Sequence, residues 1–569
     1  MTDILLVQPP IRDFYLTAKR TLPYGLASIA GALEAEGFSV EIIDTLATAR
    51  SRPIDPPPAL VPATELFGPP DRSPFGLFSA YRHYGYSFDH LPRLLKGFRP
   101  LLVGISSLFT PYEAEALEAA RRIRSVLPEC PIVLGGHHPT AHPERIMAHS
   151  FVDYVVRGDG EQALPMLARA LRDGSGIETV PGLVFRNPTG SLTIRPPTHV
   201  AAEDLPTPAF QRIHGRYYRR NGRRQTVVVA SRGCPMDCSY CCMGKRSSIP
   251  YRRRTVESVM KDIRAAASAG DVGFIDFEDE NLSLDRRWFL ELLKAIENEF
   301  KGQDVELRAM NGLMPSSLDD ETVLAMQKAG FRALNLSLGT TCQEQISRFG
   351  RPDLTAALDR CLRLAARYRL NSVAYVIAGA PYQSPESSVD DLLFLLQRSV
   401  LAAVSIFYPA PGSADYELCR RIGLLPTTVE AMRSSALPLS HHTSRLDAVT
   451  LLRLSRIVNF MKHLLDSGDT IPPAAPLPDA DGILPENRIE VGKVLLSCLF
   501  HDGSIRGVDG HGSLITHRVS EGLVRRFLLG LESIEVCGVK DTTPLDERGQ
   551  LWAPMPAPSP CPGNPGSEM

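Results

Sequence analysis

The chain has 569 residues, of which 44% are hydrophobic and 22% charged, with a formal net charge of −2. That length can bury several cores, and the near-neutral balance gives no sign of a nucleic-acid or acidic-membrane partner. No uncharged apolar run approaches membrane length and no signal peptide opens the chain, so a transmembrane segment is not expected. The eleven cysteines are scattered apart from one motif, which argues against a secreted disulfide framework and for a reducing cytoplasm.

Residues 1–180 alternate short β-branched runs with amphipathic stretches, the pattern of an open, doubly wound (Rossmann-like) α/β sheet. Strands are expected at Ile4–Gln8, Ser39–Asp44, Leu101–Ser106, Pro131–Leu134 and Tyr154–Val156, with helices across Gly25–Glu36, Tyr112–Leu127 and Gly160–Leu171. Such a sheet binds ligands beyond the carboxyl ends of its strands. There the chain carries Ser106-Ser107 after the third strand, Gly135-Gly136-His137-His138-Pro139-Thr140 after the fourth and Arg157-Gly158-Asp159-Gly160-Glu161 after the fifth. Glycine lets backbone approach a ligand, and a small hydroxyl can bond to one without filling its cavity. His137, His138 and His142 are not assigned as metal ligands. The proline-rich stretch Ser51–Arg72 reads as an irregular insertion. The aromatics Phe75, Phe78, Tyr81, Tyr84, Tyr86 and Phe88 after it read as a locally packed cap rather than a pocket lining.

A connector at 181–222 leads into a second series, residues 223–420. Strands are expected at Thr226–Ser231, Gly273–Phe277, Glu306–Met310, Ala333–Leu338, Ser372–Ala378 and Ala402–Tyr408. Helical periodicity separates them at Thr255–Ala267, Arg286–Phe300, Asp319–Ala329, Leu354–Tyr368 and Ser387–Gln397. Six βα units make a partial (βα)6 barrel. Its first strand runs into Gly233-Cys234-Pro235-Met236-Asp237-Cys238-Ser239-Tyr240-Cys241, three thiols spaced C-x3-C-x2-C. Three thiolates can hold three irons of a cubane and leave the fourth open to a chelating molecule, whereas a four-cysteine site only moves electrons. A structural zinc site or a redox pair is the alternative. Zinc would want a fourth ligand at comparable spacing, and Cys242 is poorly placed because an adjacent residue points away from its neighbour.

On Cys234, Cys238, Cys241 and Tyr240 the chain resembles the radical S-adenosylmethionine (SAM) enzymes. With its N-terminal loops it is similar to those members that place a cobalamin-binding domain ahead of the barrel. The resemblance implies a [4Fe-4S] cluster on the three cysteines, SAM on the open iron with Tyr240 leaning on the adenine, and reductive cleavage of SAM to a 5′-deoxyadenosyl radical. It implies that Glu278, Asp279 and Glu280 after the second barrel strand, Ser337 and Gly339 after the fourth, and Gly379 after the fifth help seat SAM. Cobalamin would pass Ser106, Ser107, Gly135, Gly136 and Gly158. Three departures stand out. The usual Gly-Gly-Glu form after the second strand is absent, no glutamate follows the fourth, and the loop Pro9 to Thr21 has no histidine to act as an axial cobalt ligand.

Residues 421–540 are expected to form a mainly helical C-terminal domain, with Leu451–Leu465 covering the barrel's open side, and 541–569 a flexible proline-rich tail. Cys498, Cys537 and Cys561 are too dispersed for a second cluster, and His441, His442, His501, His511 and His517 receive no role. The activity implied by the resemblance is transfer of a methyl group from methylcobalamin to an unactivated carbon of a small-molecule, lipid or peptide substrate. An electron donor such as flavodoxin or ferredoxin would feed it. An oxidative cyclase or ring-rearrangement enzyme with the same cofactors, and a non-catalytic cobalamin or redox sensor, are the alternatives.

Overall fold

A computed structural model describes residues 2–15, 21–77, 80–245, 249–433, 439–477 and 487–540. Phe78, Cys561 and the expected tail 541–569 lie outside the described residues, as does part of the loop Pro9 to Thr21.

The N-terminal sheet has five parallel strands, Ile4–Gln8, Val40–Asp44, Leu102–Ser106, Ile132–Gly135 and Tyr154–Val156. They stand in the order second, first, third, fourth, fifth. This is the doubly wound order whose ligand crevice opens at the carboxyl ends between the first and third strands. The first strand is buried on both faces, with Ile4, Leu5, Leu6 and Val7 at most 1% exposed. Ile4 and Leu6 pack with helices Tyr24–Ala35 and Gly160–Asp173, and Leu5 and Val7 with helix Glu113–Val126. A strand covered on both sides reads as a continuous apolar run, as this one does. Leu183–Arg186 and Leu192–Ile194, expected within the connector, instead pair antiparallel and extend the same sheet from its fifth strand.

The insertion is more regular than its prolines suggested. Ser51–Pro53 pairs with Arg82–Tyr84, and Val61–Phe67 is a helix with its proline in the first turn, where the missing N–H leaves no bond unmade. Phe75 packs edge-on against Phe460, and Tyr81 against Phe14. These aromatics belong to packed clusters, as expected of a cap.

The second series is the expected run of six parallel strands: Arg223–Val228, Val272–Phe277, Glu306–Arg308, Ala333–Gly339, Asn371–Ala378 and Leu401–Ile406. Each of the two sheets holds three of them in chain order, and the bridges Leu307 to Phe331 and Leu313 to Leu336 join the halves. Side chains alternate as the pleat demands: Leu334, Leu336 and Leu338 share one buried face of the fourth strand, and Asn335 and the half-buried Ser337 share the other. Thr255, Asp285, Asp319 and Ser384 each accept a backbone N–H at the start of a covering helix, which fixes where those helices begin. The helix Gln343–Phe349, not foreseen, ends on Gly350 in the left-handed conformation.

Helix Arg445–Asp466 closes the barrel beside its last strand. Asn459 accepts from Ala402 N–H at 2.9 Å and donates to Ala402 O at 2.8 Å, so a side-chain amide pairs with an edge strand as a neighbouring strand would. Helices Arg488–Asp502 and Glu521–Leu531 and a small hairpin complete the C-terminal region. Among the described residues no helix is long and apolar enough to cross a membrane.

One turn further along, Lys462 is buried and its ammonium group donates to Leu396 O at 3.1 Å, Arg398 O at 2.5 Å and Cys537 O at 2.9 Å. Burial pushes it from 10.5 down to about 7. Between those values the unfolded chain holds a proton there that the folded chain releases, so stability rises with pH across that window. In denaturant titrations over pH 7 to 10, Lys462→Met is expected to flatten that rise.

Candidate functional site

The three cysteines of the motif occupy a loop between the short paired strands Ser231–Arg232 and Arg252–Arg253. The loop folds on itself. Cys234 N–H donates to Met243 O at 2.9 Å, Lys245 N–H to Met236 O at 2.8 Å, and Met243 N–H to the Cys241 sulfur at 3.3 Å. Gly233 has φ +74°, and a Cβ there would lie 2.7 Å from Pro250 O, so the position admits only glycine. From outside, Ser239 N–H donates to Phe349 O at 3.0 Å, while Ser239 O accepts from Asp415 N–H at 2.9 Å. Burial, with the neighbouring cysteines, pushes Cys241 up to about 12, and Cys234 is likewise raised by burial and by Cys238 and Glu280. Buried thiols of this kind ionise when a metal supplies the positive charge. Among the described residues no three His, Cys, Asp or Glu side chains close around a single ion. A cubane does not ask for that, because each thiolate binds a different iron.

At the barrel mouth Tyr240 stands edge-on to Phe349, ring centroids 5.0 Å apart, and its hydroxyl accepts from Arg351 at 2.5 Å. Arg351 also donates to Ser337 O at 2.9 Å, and its buried Nε has no partner. This arginine ties the aromatic of the cysteine loop to the end of the fourth strand. The sequence reading missed it; its one local signal is the helix-ending Gly350 before it. Gly339 and Gly379 take left-handed conformations at the ends of the fourth and fifth strands. Asn311 donates to Glu278 at 3.2 Å and to Asp279 O at 3.3 Å.

The acidic stretch after the second strand divides. Asp279, expected at the mouth, is buried beneath the cysteine loop, accepting from Ala230 N–H at 3.1 Å and the Ser231 hydroxyl at 2.6 Å. Burial pushes it up to about 6. It holds the junction of strand and loop.

On the N-terminal sheet, Ser106 ends the third strand and Ser107 N–H donates to Gly135 O at 2.8 Å. Gly136 has φ +122°, and a Cβ on it would sit 2.5 Å from Ser107 O. The Ser107 hydroxyl is buried without a partner, and beside it Leu108 and Phe109 are 44% and 37% exposed. His138 is instead structural: it is buried and pairs with Glu113 at 2.7 Å. Although burial alone would raise Glu113, His138 and Arg145 hold it at about 2.

The loop after the fifth strand turns elsewhere. Gly158 N–H donates to the Thr140 hydroxyl at 3.2 Å, but Asp159 and Glu161 reach the barrel. Arg232, two residues before Cys234, donates to Asp159 at 3.0 Å and to Glu161 at 2.5 and 3.2 Å, and Arg252 donates to Asp159 at 2.6 Å. Burial would raise Glu161; Arg232 and Ser28 hold it at about 2.

A family model described as B12 binding domain matches residues 82–168, and one described as Radical SAM superfamily matches residues 228–395. The chain carries a B12-binding domain followed by a radical SAM domain. It is 23% identical over 345 residues to an uncharacterized methyltransferase of Pyrococcus horikoshii, covering 60% of this chain and 74% of that one. It is 28% identical over 269 residues to an anaerobic magnesium-protoporphyrin IX monomethyl ester cyclase of Rubrivivax gelatinosus, covering 46% and 47%. Two solved structures share the fold. The radical SAM methyltransferase TsrM of Kitasatospora setae, with tryptophan and a SAM analogue bound, has a TM-score of 0.55 at 20% identity, covering 75% of this chain and 77% of that one. The cobalamin-dependent enzyme OxsB, with aqua-cobalamin and SAM bound, has a TM-score of 0.60 at 14% identity, covering 95% and 77%.

The radical SAM loop fits a cluster by its donor set: three free thiols on a preformed turn, Cys234 buried and Cys238 and Cys241 half-buried. The B12 side fits a large cofactor by the unpartnered Ser107 hydroxyl and the exposed Leu108 and Phe109, an apolar surface that a macrocycle would cover. Replacing Cys234, Cys238 or Cys241 by alanine is expected to abolish iron and sulfide retention after anaerobic reconstitution, while Cys242→Ala retains both; metal analysis and the absorbance of the cluster check this.

Proposed function

We propose that this radical SAM enzyme is a cobalamin-dependent methyltransferase that acts on an unactivated carbon of a small-molecule substrate. The observation that carries the reading is that the loop carrying the three cysteines is joined by ion pairs to the loop after the fifth strand of the B12 domain. In such a site the cluster would supply an electron for SAM cleavage and the cobalamin a methyl carrier.

The chain's own residues divide the remaining work. Cys234, Cys238 and Cys241 would hold the cluster through three irons. Tyr240, braced by Arg351 and Phe349, offers a face for the adenine. Beside Ser337, Gly339 and, at the end of the neighbouring fifth strand, Gly379 leave room for the ribose and adenine because glycine carries no side chain. Glu278 and Glu280 stand at the end of the second strand, where an amino group would sit, and the Arg351 guanidinium stands ready for a carboxylate. Ser106, Ser107, Gly135 and Gly136 would line the cobalamin tail, and Gly158 joins them through Thr140. Keeping the two edges in register excludes water from the space between them, which a carbon radical requires. A reducing cytoplasm with a flavodoxin or ferredoxin as electron donor completes the reading.

The 28% identity to a cyclase favours a second reading, oxidative ring chemistry with the same cofactors. Product mass separates the two, because methylation adds a carbon and cyclisation adds none. Under anaerobic conditions with SAM, reductant and hydroxocobalamin, the methyltransferase is expected to give 5′-deoxyadenosine together with S-adenosylhomocysteine, the second only when cobalamin is present. Deoxyadenosine alone with a substrate that turns over would reject methyl transfer. Arg351→Met is expected to raise the dissociation constant for SAM about tenfold or more, the scale of a hydrogen bond to a charged group, ~1.5–3 kcal/mol, with cluster content unchanged.

A further inference from the structure

Asp159 and Glu161 lie in the loop after the fifth strand of the B12 domain, among glycines suited to a ligand, yet neither carboxylate serves that edge. Both turn to the radical SAM loop. Arg232 donates to Asp159 at 3.0 Å and to Glu161 at 2.5 and 3.2 Å, Arg252 donates to Asp159 at 2.6 Å, and Ser28 donates to Glu161 at 2.7 Å. The Glu161 side chain is only 6% exposed. Arg232 and Arg252 are themselves cross-strand partners at the base of the cysteine loop, and Arg232 leads directly into Gly233 and Cys234.

The other end of this cluster reaches the cobalamin side without a break. Gly158, next to Asp159, donates to the Thr140 hydroxyl at 3.2 Å, and that hydroxyl donates to Gly136 O at 2.8 Å. Gly136 in turn rests on Ser107 O so closely that no Cβ fits between them. Any ligand that shifts the Gly135-Gly136 turn therefore pulls on Thr140, Gly158 and Asp159, and through Arg232 on the loop that holds the cluster. Ion pairs with bidentate geometry transmit such a shift, because the Arg232 fork holds both oxygens of the buried Glu161 carboxylate and moves with it.

We propose that the Asp159, Glu161, Arg232 and Arg252 cluster is a positioning relay that couples cobalamin occupancy of the N-terminal domain to SAM binding at the barrel. The proposal rests on the functional reading above. A charge network of this kind is a coupling device only if the two ligands change each other's affinity, and linkage requires the effect to be equal in both directions.

The test uses the full chain with its reconstituted cluster, and measures dissociation constants for SAM with and without hydroxocobalamin and for hydroxocobalamin with and without SAM. The electron paramagnetic resonance spectrum of the reduced cluster provides a second readout. In the wild type each ligand is expected to tighten the other about fivefold or more, and cobalamin is expected to alter the cluster spectrum. In Glu161→Gln and in Arg232→Lys, which keeps the charge but loses the fork, each ligand still binds alone, while the mutual factor falls towards one and the spectral response disappears. A pair with a merely structural role would lower the melting temperature in the variants and leave the factor intact, which overturns the relay. Binding of both ligands to the wild type without mutual effect overturns it as well. A wild-type chain that binds neither ligand sinks the functional reading and the relay together.

Discussion

Three thiols on one short loop can share a cluster only if the loop keeps its shape while buried, and the rest of the molecule is arranged around that constraint. The loop supplies part of the rigidity itself, through the bonds of Cys234 to Met243 and of Lys245 to Met236. The remainder comes from far along the chain. Phe349 and Asp415 grip Ser239 from the segments after the fourth and sixth barrel strands, Asp279 holds its base from the second, and Arg232 and Arg252 fasten its two ends to the N-terminal domain. The same burial that raises Cys234 and Cys241 makes a bound metal the natural source of compensating charge.

Several ionisable groups show how strongly context decides what a side chain does. Asp279 lies fully buried with two donors and is pushed up, whereas Glu161, also buried, faces an arginine fork and is held down. Both are acids in loops where a ligand contact was expected, and both serve instead to hold the loop that carries the cysteines. His138 is a comparable case in the B12 domain, where Glu113 takes its ring. Residues in ligand-binding loops thus divide into those that meet the ligand and those that fix the loop, and the spacing of a motif does not tell them apart.

Much of the architecture was legible because it follows from local periodicity. The five parallel strands of the first domain, the six of the barrel and the helices between them lie close to their expected positions, since apolar runs and 3.6-residue spacing survive in any context. The exceptions have local causes. Leu183–Arg186 is a strand only because the fifth strand offers it an edge, and Val61–Phe67 is a helix because its proline falls in the first turn, the one place a helix tolerates it. The short helix Gln343–Phe349 has too few turns to show a period.

The sequence by itself determined the chemistry available: three cysteines at a spacing suited to a cubane, an aromatic between them, glycines at the strand ends, and two successive α/β patterns. Those are properties of neighbours along the chain, where bond geometry alone brings residues together. Only the tertiary structure decided that Arg351 braces Tyr240, that Asp279 lies beneath the cysteine loop, and that Asp159 and Glu161 reach Arg232. These pairs are separated by dozens to more than a hundred positions, and the sign of each charge's effect depends on burial and partners that no local pattern encodes.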